Sequence, residues 1–332
     1  MTDALTTTVA GRSRGTRPVR RPGAWRLLGT LLAAILLVAA PAVPAAEGAP
    51  EAGAGDAPAG WIEHFAGPSA EYLLTRGGQP LAVYPLMQVY PGDLISVRYP
   101  GGHLRLHLGE TDTLDLDQAH SPSAVPAGGR VPSVGGNLMH WADRLFAGMS
   151  EAQARTVPLA DRGDEAAWPD NPVSGLLGPG TRLAEGTRPL ALAWRGGQAP
   201  YRVRVAPAGH EAPPVVDLTG LAEPRCETPE ITLTPGNWVL SITDDAGRTL
   251  AAGVAVVPTG EVARLDPAAL PPGLPDSAAR TLAAAWLASQ GDGRGWRLEA
   301  YRQVADLGDD APAVWLRRAL VAGESLPPVA VQ

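Results

Sequence analysis

The sequence predicts a mainly β, multidomain protein that ends in a short helical unit. Apolar and polar residues alternate in short segments between positions 72 and 117 and again between positions 190 and 256, a pattern typical of half-buried strands. Glycine and proline, which favour turns, separate these segments and number 39 and 34. After position 276, apolar residues recur three or four positions apart, as on one face of a helix.

The first 46 residues have the order of a secretory signal peptide. Six arginines precede an apolar run over residues 27–40, and small residues that suit cleavage after Ala45 or Ala46 follow. The apolar run is also long enough to remain as an uncleaved membrane anchor. We therefore expect a periplasmic or extracellular protein, or one anchored in the inner membrane and facing the periplasm. Residues 47–60 are low in complexity and are predicted to be a tether.

Charge and cysteine usage narrow the class of protein. All 27 basic residues are arginine, which we attribute to genome composition, so an arginine cluster alone is not evidence of anion binding. Without residues 1–46, 21 basic and 33 acidic residues remain, and a net charge near −12 repels nucleic acid. Cys226 is the only cysteine, so no intramolecular disulfide can form, and we expect its thiol to be unreactive.

Residues 61–120 are predicted to form a small β domain. Two apolar runs flank Gly77-Gly78 and indicate a hairpin, since paired glycines suit the tight turn between antiparallel strands. Ile95, Val97 and Tyr99 then share one face of a further strand, which glycine and proline bound on both sides.

The stretch HLRLHLGETDTLDLD (residues 103–117) contains two histidines and several carboxylates. Its leucines occupy every second position, and a strand places His103 and His107 roughly 13 Å apart, too far to share one metal ion. One antiparallel pairing keeps the leucines on the core face and sets opposite charges across from each other. It pairs Leu104 with Leu116, Leu106 with Leu114, Arg105 with Asp115 and His103 with Asp117. We therefore predict a hairpin with a charged, solvent-facing side and no metal site.

Residues 121–180 are predicted to be a loop-rich connector with one short helix. Asn137 suits an N-cap, and an apolar stripe follows it at helical spacing. The stripe comprises Leu138, Trp141, Leu145 and Met149. It predicts a helix that faces a core.

Residues 181–259 are predicted to form a β-sandwich. Alternating apolar residues mark at least five short strands between turns rich in glycine, proline and aspartate. The strands are marked by Leu190, Leu192 and Trp194; by Tyr201, Val203 and Val205; by Ile231 and Leu233; by Trp238, Leu240 and Ile242; and by Val254 and Val256. The proline-rich segment 260–275 is predicted to be a linker.

Residues 276–325 are predicted to form three short helices. Asp276 or Ser277 caps the first, and Asp310 and Gly323 bound the third. Six apolar side chains are available to a shared interface: Leu282, Trp286, Leu298, Tyr301, Trp315 and Leu320. Such a unit is too short to bury a large core alone.

Two segments resemble known families. The run VYPGDLISVRYPGGHLRLHLGETDTLDL (residues 89–116), with Gly-Asp before an apolar strand and then alternating leucines, resembles the FecR-type β domain of bacterial envelope proteins. That resemblance implies a small β fold and, in the family's namesakes, regulation of an extracytoplasmic-function sigma factor. The run LTPGNWVLSITDDAGRTLAAGVAVV (residues 233–257) resembles the last strands of bacterial immunoglobulin-like domains. It implies a sandwich and leaves the ligand open.

No common catalytic motif is present: the chain lacks Gly-x-Ser-x-Gly, His-Glu-x-x-His, Cys-x-x-Cys, a phosphate loop and a dinucleotide fingerprint. We therefore expect an exported, non-catalytic binding or scaffold protein of the bacterial envelope, without a cofactor, that engages a protein or glycan. Contact with the membrane is expected only if the N-terminal apolar segment is retained.

Three arginines of the predicted sandwich form a candidate interaction face. Arg202 and Arg204 project away from the core face of their strand, and Arg195 begins the adjoining turn. Guanidinium groups at such positions suit carboxylates of a partner, and equally suit an ordinary solvated face.

Two alternative functions remain open at this point. The first is a membrane-anchored FecR-like regulator, which requires the apolar segment to stay attached. The second is a hydrolase whose dispersed site joins His120, His140 or His210 to a serine and an aspartate.

Overall fold

The computed structural model describes residues 57–109, 112–126, 136–160, 169–209 and 213–328. The expectations for the signal segment, for most of the tether and for His210 lie outside these residues. Within the described ranges, no helix is both long enough and apolar enough to cross a membrane. Strands outnumber helices and form several small sheets, so the prediction of a mainly β fold is confirmed.

Eight short strands form two four-stranded antiparallel sheets at the beginning of the described chain. The strands are β1 (Gly60–Phe65), β2 (Tyr72–Arg76), β3 (Gln79–Ala82), β4 (Gln88–Val89), β5 (Leu94–Val97), β6 (His103–Leu108), β7 (Asp112–Asp117) and β8 (Ser123–Ala124). Their orders are β4-β1-β6-β7 and β3-β2-β5-β8. Both sheets contribute to one apolar cluster, which includes Ile62 and Leu106 from the first and Leu74 and Ile95 from the second.

The predicted glycine turn is confirmed. Arg76 pairs with Gln79, so Gly77 and Gly78 form a two-residue connection. Their φ angles are 55° and 84°, and a tight hairpin turn with two positive φ angles favours glycine because it has no Cβ.

The predicted register of the β6–β7 hairpin is confirmed at all four pairs. Leu104 and Leu106 are fully buried, and Arg105 faces Asp115 at the surface. The prediction of a wholly solvent-facing polar side is wrong at His107, which is only 4% exposed. It lies directly across from Trp61 of β1, whose side chain belongs to the larger core of the protein.

One long helix, α1 (Gly136–Ala160), follows the two sheets. Its length of 25 residues corrects the prediction of a short helix, and Asn137 lies inside it instead of preceding it. The apolar stripe is confirmed as core-facing, because Leu138, Trp141, Leu145 and Met149 are all buried. Asp143 connects the helix to the β3–β4 region. Its carboxylate accepts hydrogen bonds from the Tyr84 hydroxyl (2.9 Å) and from the backbone N–H of Gln88 (3.1 Å).

Nine strands make up the second β region. They are β9 (Thr181–Ala184), β10 (Gly186–Arg188), β11 (Ala191–Ala193), β12 (Tyr201–Pro207), β13 (Val216–Leu221), β14 (Arg225–Glu227), β15 (Ile231–Leu233), β16 (Gly236–Thr243) and β17 (Thr249–Val257). A five-stranded sheet has the order β13-β12-β16-β17-β9, in which only β9 and β17 are parallel. The remaining strands pair as β10 with β15 and β11 with β14, and side chains from both groups share one core.

Three helices complete the described chain: α2 (Asp276–Ala288), α3 (Arg297–Val304) and α4 (Ala311–Ala322). The predicted bounds of α4 are confirmed, since the Asp310 side chain caps it and Gly323 ends it in the left-handed conformation. The predicted cap of α2 is wrong: the N-cap is Pro275, and the Ser277 hydroxyl donates to Asp310 at 2.9 Å.

The apolar core is continuous from α1 through the second β region to the three C-terminal helices. Helix α3 contacts β9 and β11, so the helical unit is buried against strands and does not rely on its own interior. The segment predicted as a linker also contributes, because Leu265, Leu270 and Leu274 pack against this core. The helices therefore obtain their apolar burial from the rest of the protein.

Candidate interaction face

The outer surface of the five-stranded sheet carries two of the three predicted site arginines. Along β12, Tyr201, Val203 and Val205 are buried, whereas Arg202 and Arg204 are exposed. This follows from strand geometry, in which successive side chains point to opposite faces of the sheet. The prediction that Arg202 and Arg204 project away from the core is confirmed.

Arg202 and Arg204 share one carboxylate. Arg202 makes a two-pronged contact with Asp217 of β13, with Nε–Oδ1 and Nη2–Oδ2 distances of 2.7 and 2.6 Å. Arg204 pairs with Asp217 across the ladder, and its Nε lies 3.6 Å from Asp217 Oδ2. Hydrogen bonding from Arg202 lowers the pKa of Asp217 below its ordinary value. Two guanidinium groups facing one ionised carboxylate leave one positive charge on the cluster.

Small and neutral side chains extend this face across the neighbouring strands. Arg204 lies opposite Ser241 of β16, which in turn lies opposite Ala251 of β17. Val239, two positions from Ser241 on the same face, is 41% exposed. Short side chains beside a charged cluster make a shallow surface to which a partner's backbone can approach closely. We call the set Arg202, Arg204, Asp217, Ser241 and Val239 the arginine face.

Arg195 is directed elsewhere. It lies at a single β-bridge with Val173, and its Nη2 donates to the carbonyl oxygen of Ala322 at 3.3 Å. That oxygen is at the C-terminal end of α4, where helix carbonyl groups lack partners within the helix. The structure therefore brings Arg202 and Arg204 together and places Arg195 at a helix end.

The histidines named for a dispersed hydrolase site have separate surroundings. His120 is exposed, and its Nδ1 lies 2.7 Å from Asp117 Oδ1 within the same short turn. His140 is exposed on α1, and His210 is outside the described residues. Among the residues that the structure describes, no three or more His, Cys, Asp or Glu side chains are grouped so as to hold a metal ion.

Sequence reasoning missed one buried ionic cluster, formed by Arg188, Glu299 and Arg302. Glu299 is 2% exposed and contacts Arg188, which lies 111 positions earlier in the chain. The only local signal is that Glu299 lies between two apolar residues, Leu298 and Ala300. All three are buried, because α3 is enclosed on more than one face. The identity of its partners depends on how the helix is placed against the strands.

Comparisons with known proteins cover only part of the chain. Ribonuclease HII of Rhodopseudomonas palustris (strain BisA53) is 34% identical over 102 residues, which are 31% of this chain and 36% of the relative. The chain thus spans about a third of the length of this curated relative. No family model matches the chain, and no solved structure matches it.

Proposed function

We propose that this protein is an exported, non-catalytic binding or scaffold protein of the bacterial cell envelope. It engages carboxylate groups of a protein or glycan partner through the arginine face. The observation that carries the proposal is the sharing of Asp217 by Arg202 and Arg204, which leaves one positive charge on an open sheet surface. Guanidinium groups bind carboxylates with two parallel hydrogen bonds, so such a surface favours an acidic partner.

The β modules support a binding role through their architecture. Residues 181–259 are proposed to be an immunoglobulin-like sandwich, supported by a five-stranded layer with one parallel pair and by a second layer of paired short strands. Residues 61–120 are proposed to be a FecR-like β domain, supported by the resemblance of residues 89–116. Sandwich modules present flat sheet faces and edges, which serve protein and glycan recognition in many unrelated proteins.

A pull-down from a solubilised envelope fraction tests this proposal. The bait is the exported form, either unchanged or with Arg202→Ala and Arg204→Ala together. We expect the double variant to recover about a tenth of the partner or less, because charge-assisted pairs contribute roughly 1.5 kcal/mol each. Both arginines are exposed, so we expect the variant to remain folded.

Arg105→Ala is the matched control for the pull-down. Arg105 makes the same two-pronged, exposed contact with Asp115, at 2.7 and 3.1 Å, on a different sheet. We expect this variant to recover the partner as the unchanged protein does. Equal losses in both variants would indicate a nonspecific charge effect, and recovery of nothing above background by the unchanged bait would contradict the binding role.

Two further measurements decide between this proposal and its alternatives. The mass of the exported form distinguishes a secreted protein from an anchored FecR-like regulator, because loss of about 46 residues removes the anchor. An assay for hydrolysis of RNA, the substrate that the name of the matched relative indicates, addresses an enzymatic role. We expect no turnover above that of a heat-treated sample.

A further inference from the structure

A cavity of about 380 Å³ lies between the second β region and the helices α2 and α3. Three arginines line it: Arg188 at the end of β10, Arg302 on α3, and Arg264 on the segment that follows β17. Its size is within the range of small-molecule sites, which start near 300 Å³. It is separate from the arginine face, since the two share no residue.

Glu299 holds two of these arginines at the cavity wall. Its Oε1 accepts hydrogen bonds from Nη2 and Nε of Arg302, at 2.6 and 3.1 Å. Its Oε2 accepts from Nη2 of Arg188 and from the amide of Ala184, both at 3.1 Å. The carboxylate is thereby fully hydrogen-bonded and 98% buried, so it orients both guanidinium groups rigidly.

One buried carboxylate does not balance the charges of two partly buried guanidinium groups. Burial lowers the pKa of Arg188, and the nearby charge of Arg302 acts in the same direction. The Nε of Arg188 is buried and has no hydrogen-bond partner among the described residues. A second anion near these groups would therefore stabilise their charged forms.

Arg264 adds a third positive charge to the cavity wall. Its side chain is exposed and makes no hydrogen bond or ion pair with any residue in the described part of the chain. Glu185 is the other acidic residue on the cavity wall, and its Oε1 accepts a hydrogen bond from the backbone N–H of Thr259 at 3.0 Å. The wall therefore carries three positive and two negative charges, which favours a ligand with a single negative charge.

Part of the cavity wall is apolar. Leu287 and Ala283 of α2 and Val262 and Leu265 of the segment after β17 line it. A ligand that fills the cavity therefore places an apolar chain against these side chains and its charged group near the arginines.

We propose that this cavity binds a small organic monocarboxylate, with its carboxylate between Arg264 and Arg302 and its hydrocarbon part against Leu265 and Leu287. Glu299 acts as a positioning residue, since it contacts the arginines and not the ligand. This inference does not depend on the proposed function, because it concerns a different surface and a different ligand.

Isothermal titration calorimetry of the full exported chain with three probes tests the proposal. The probes are sodium octanoate below its micellar concentration, octan-1-ol and inorganic phosphate. We expect saturable binding of one octanoate per chain and markedly weaker binding of the other two. Absence of saturable octanoate binding would overturn the proposal. Equal binding of octan-1-ol would show that the cavity selects only the hydrocarbon chain of the probe. Tighter binding of phosphate would show that it prefers an inorganic anion. Either result would also overturn the proposal.

Arg264→Ala is the decisive variant, because an exposed arginine without protein partners can be removed without unfolding the chain. We expect it to weaken octanoate binding about tenfold, the usual effect of losing one charge-assisted hydrogen bond. The control is Arg98→Ala, for which we expect unchanged affinity. Arg98 is also exposed, but it directly follows β5 and does not line this cavity. Equal affinity of the Arg264→Ala variant and the unchanged protein would refute the placement of the carboxylate.

Discussion

The imidazole of His107 stacks on the indole of Trp61, with ring centroids 4.2 Å apart and 15° between the ring planes. The two residues are direct cross-strand neighbours on β6 and β1. Trp61 belongs to the larger apolar core, whereas the adjacent Ile62 belongs to the core of the first two sheets. Strand β1 thus supplies side chains to both cores from its two faces, and the stack lies where they adjoin.

His107→Phe is expected to preserve this stack and to keep the protein at least as stable. The Nε2 atom of His107 is buried without a partner among the described residues, and phenylalanine removes that unsatisfied group. His107→Ala, in contrast, is expected to lower the free energy of unfolding by about 2–3 kcal/mol through lost ring contact and a cavity. Urea titration followed by tryptophan fluorescence measures both. A larger loss in the phenylalanine variant than in the alanine variant would contradict the assignment.

Removal of Arg297 is expected to destabilise the protein more than removal of Arg195. Arg195 donates to the carbonyl oxygen of Ala322, the last residue of α4, at 3.3 Å, and Arg297 donates to the carbonyl oxygen of Glu324, two residues beyond the helix, at 2.6 Å. Arg297 is 5% exposed and also donates to Gly293, whereas Arg195 is exposed. We expect losses of about 3 kcal/mol for Arg297→Ala and under about 1 kcal/mol for Arg195→Ala. Thermal unfolding of both variants provides the comparison, and equal losses would argue against the role of burial.

Acid is expected to destabilise the protein through Asp244. Burial opposes ionisation of this side chain, but hydrogen bonds from Arg248 and from the backbone outweigh it and lower the pKa of Asp244. A lowered folded-state pKa contributes stability above the unfolded-state pKa of about 3.9, and that contribution is lost as the pH falls towards the folded-state pKa. Asp244→Asn is therefore expected to be less stable near pH 6 and to lose less stability on acidification.

Unfolding free energies measured between about pH 3 and 6 test the Asp244 prediction. Asp245→Asn is the control, because it removes the neighbouring charge from an exposed position of the same turn. An unchanged slope of stability against pH in the Asp244→Asn variant would count against the prediction.

Cys226 is expected to react slowly with thiol reagents in the folded protein. Burial raises the pKa of its thiol to about 11, and the thiolate is the reactive form. At pH 8 we expect labelling on the order of 100-fold slower than in urea-unfolded protein, with a rate that rises steadily towards pH 11. Both rates are measured with a thiol reagent that releases a chromophore, from the increase in absorbance. Comparable rates in the folded and unfolded states would show that the thiol is not protected.

The hairpin register was predictable because two strands carry the same alternation and only one pairing satisfies both faces. Leucines meet at Leu104–Leu116 on the core face, and Arg105 meets Asp115 on the other. The arginine face was predictable only in part. Alternation along β12 shows where Arg202 and Arg204 point, but β13 has only Val216 buried, so its pattern does not identify Asp217 as their partner.

The sequence by itself determined the mainly β class, the tight turns and the direction of side chains on each strand, because these depend on residues a few positions apart. Tertiary structure alone decided the burial of His107, the direction of Arg195 and the joining of Arg188 to Glu299. Each of these three features depends on a contact between separate elements of the fold. The contact between Arg188 and Glu299 joins residues 111 positions apart. The desolvation of a side chain depends on the residues that pack over it, and in these cases those residues are distant in the sequence.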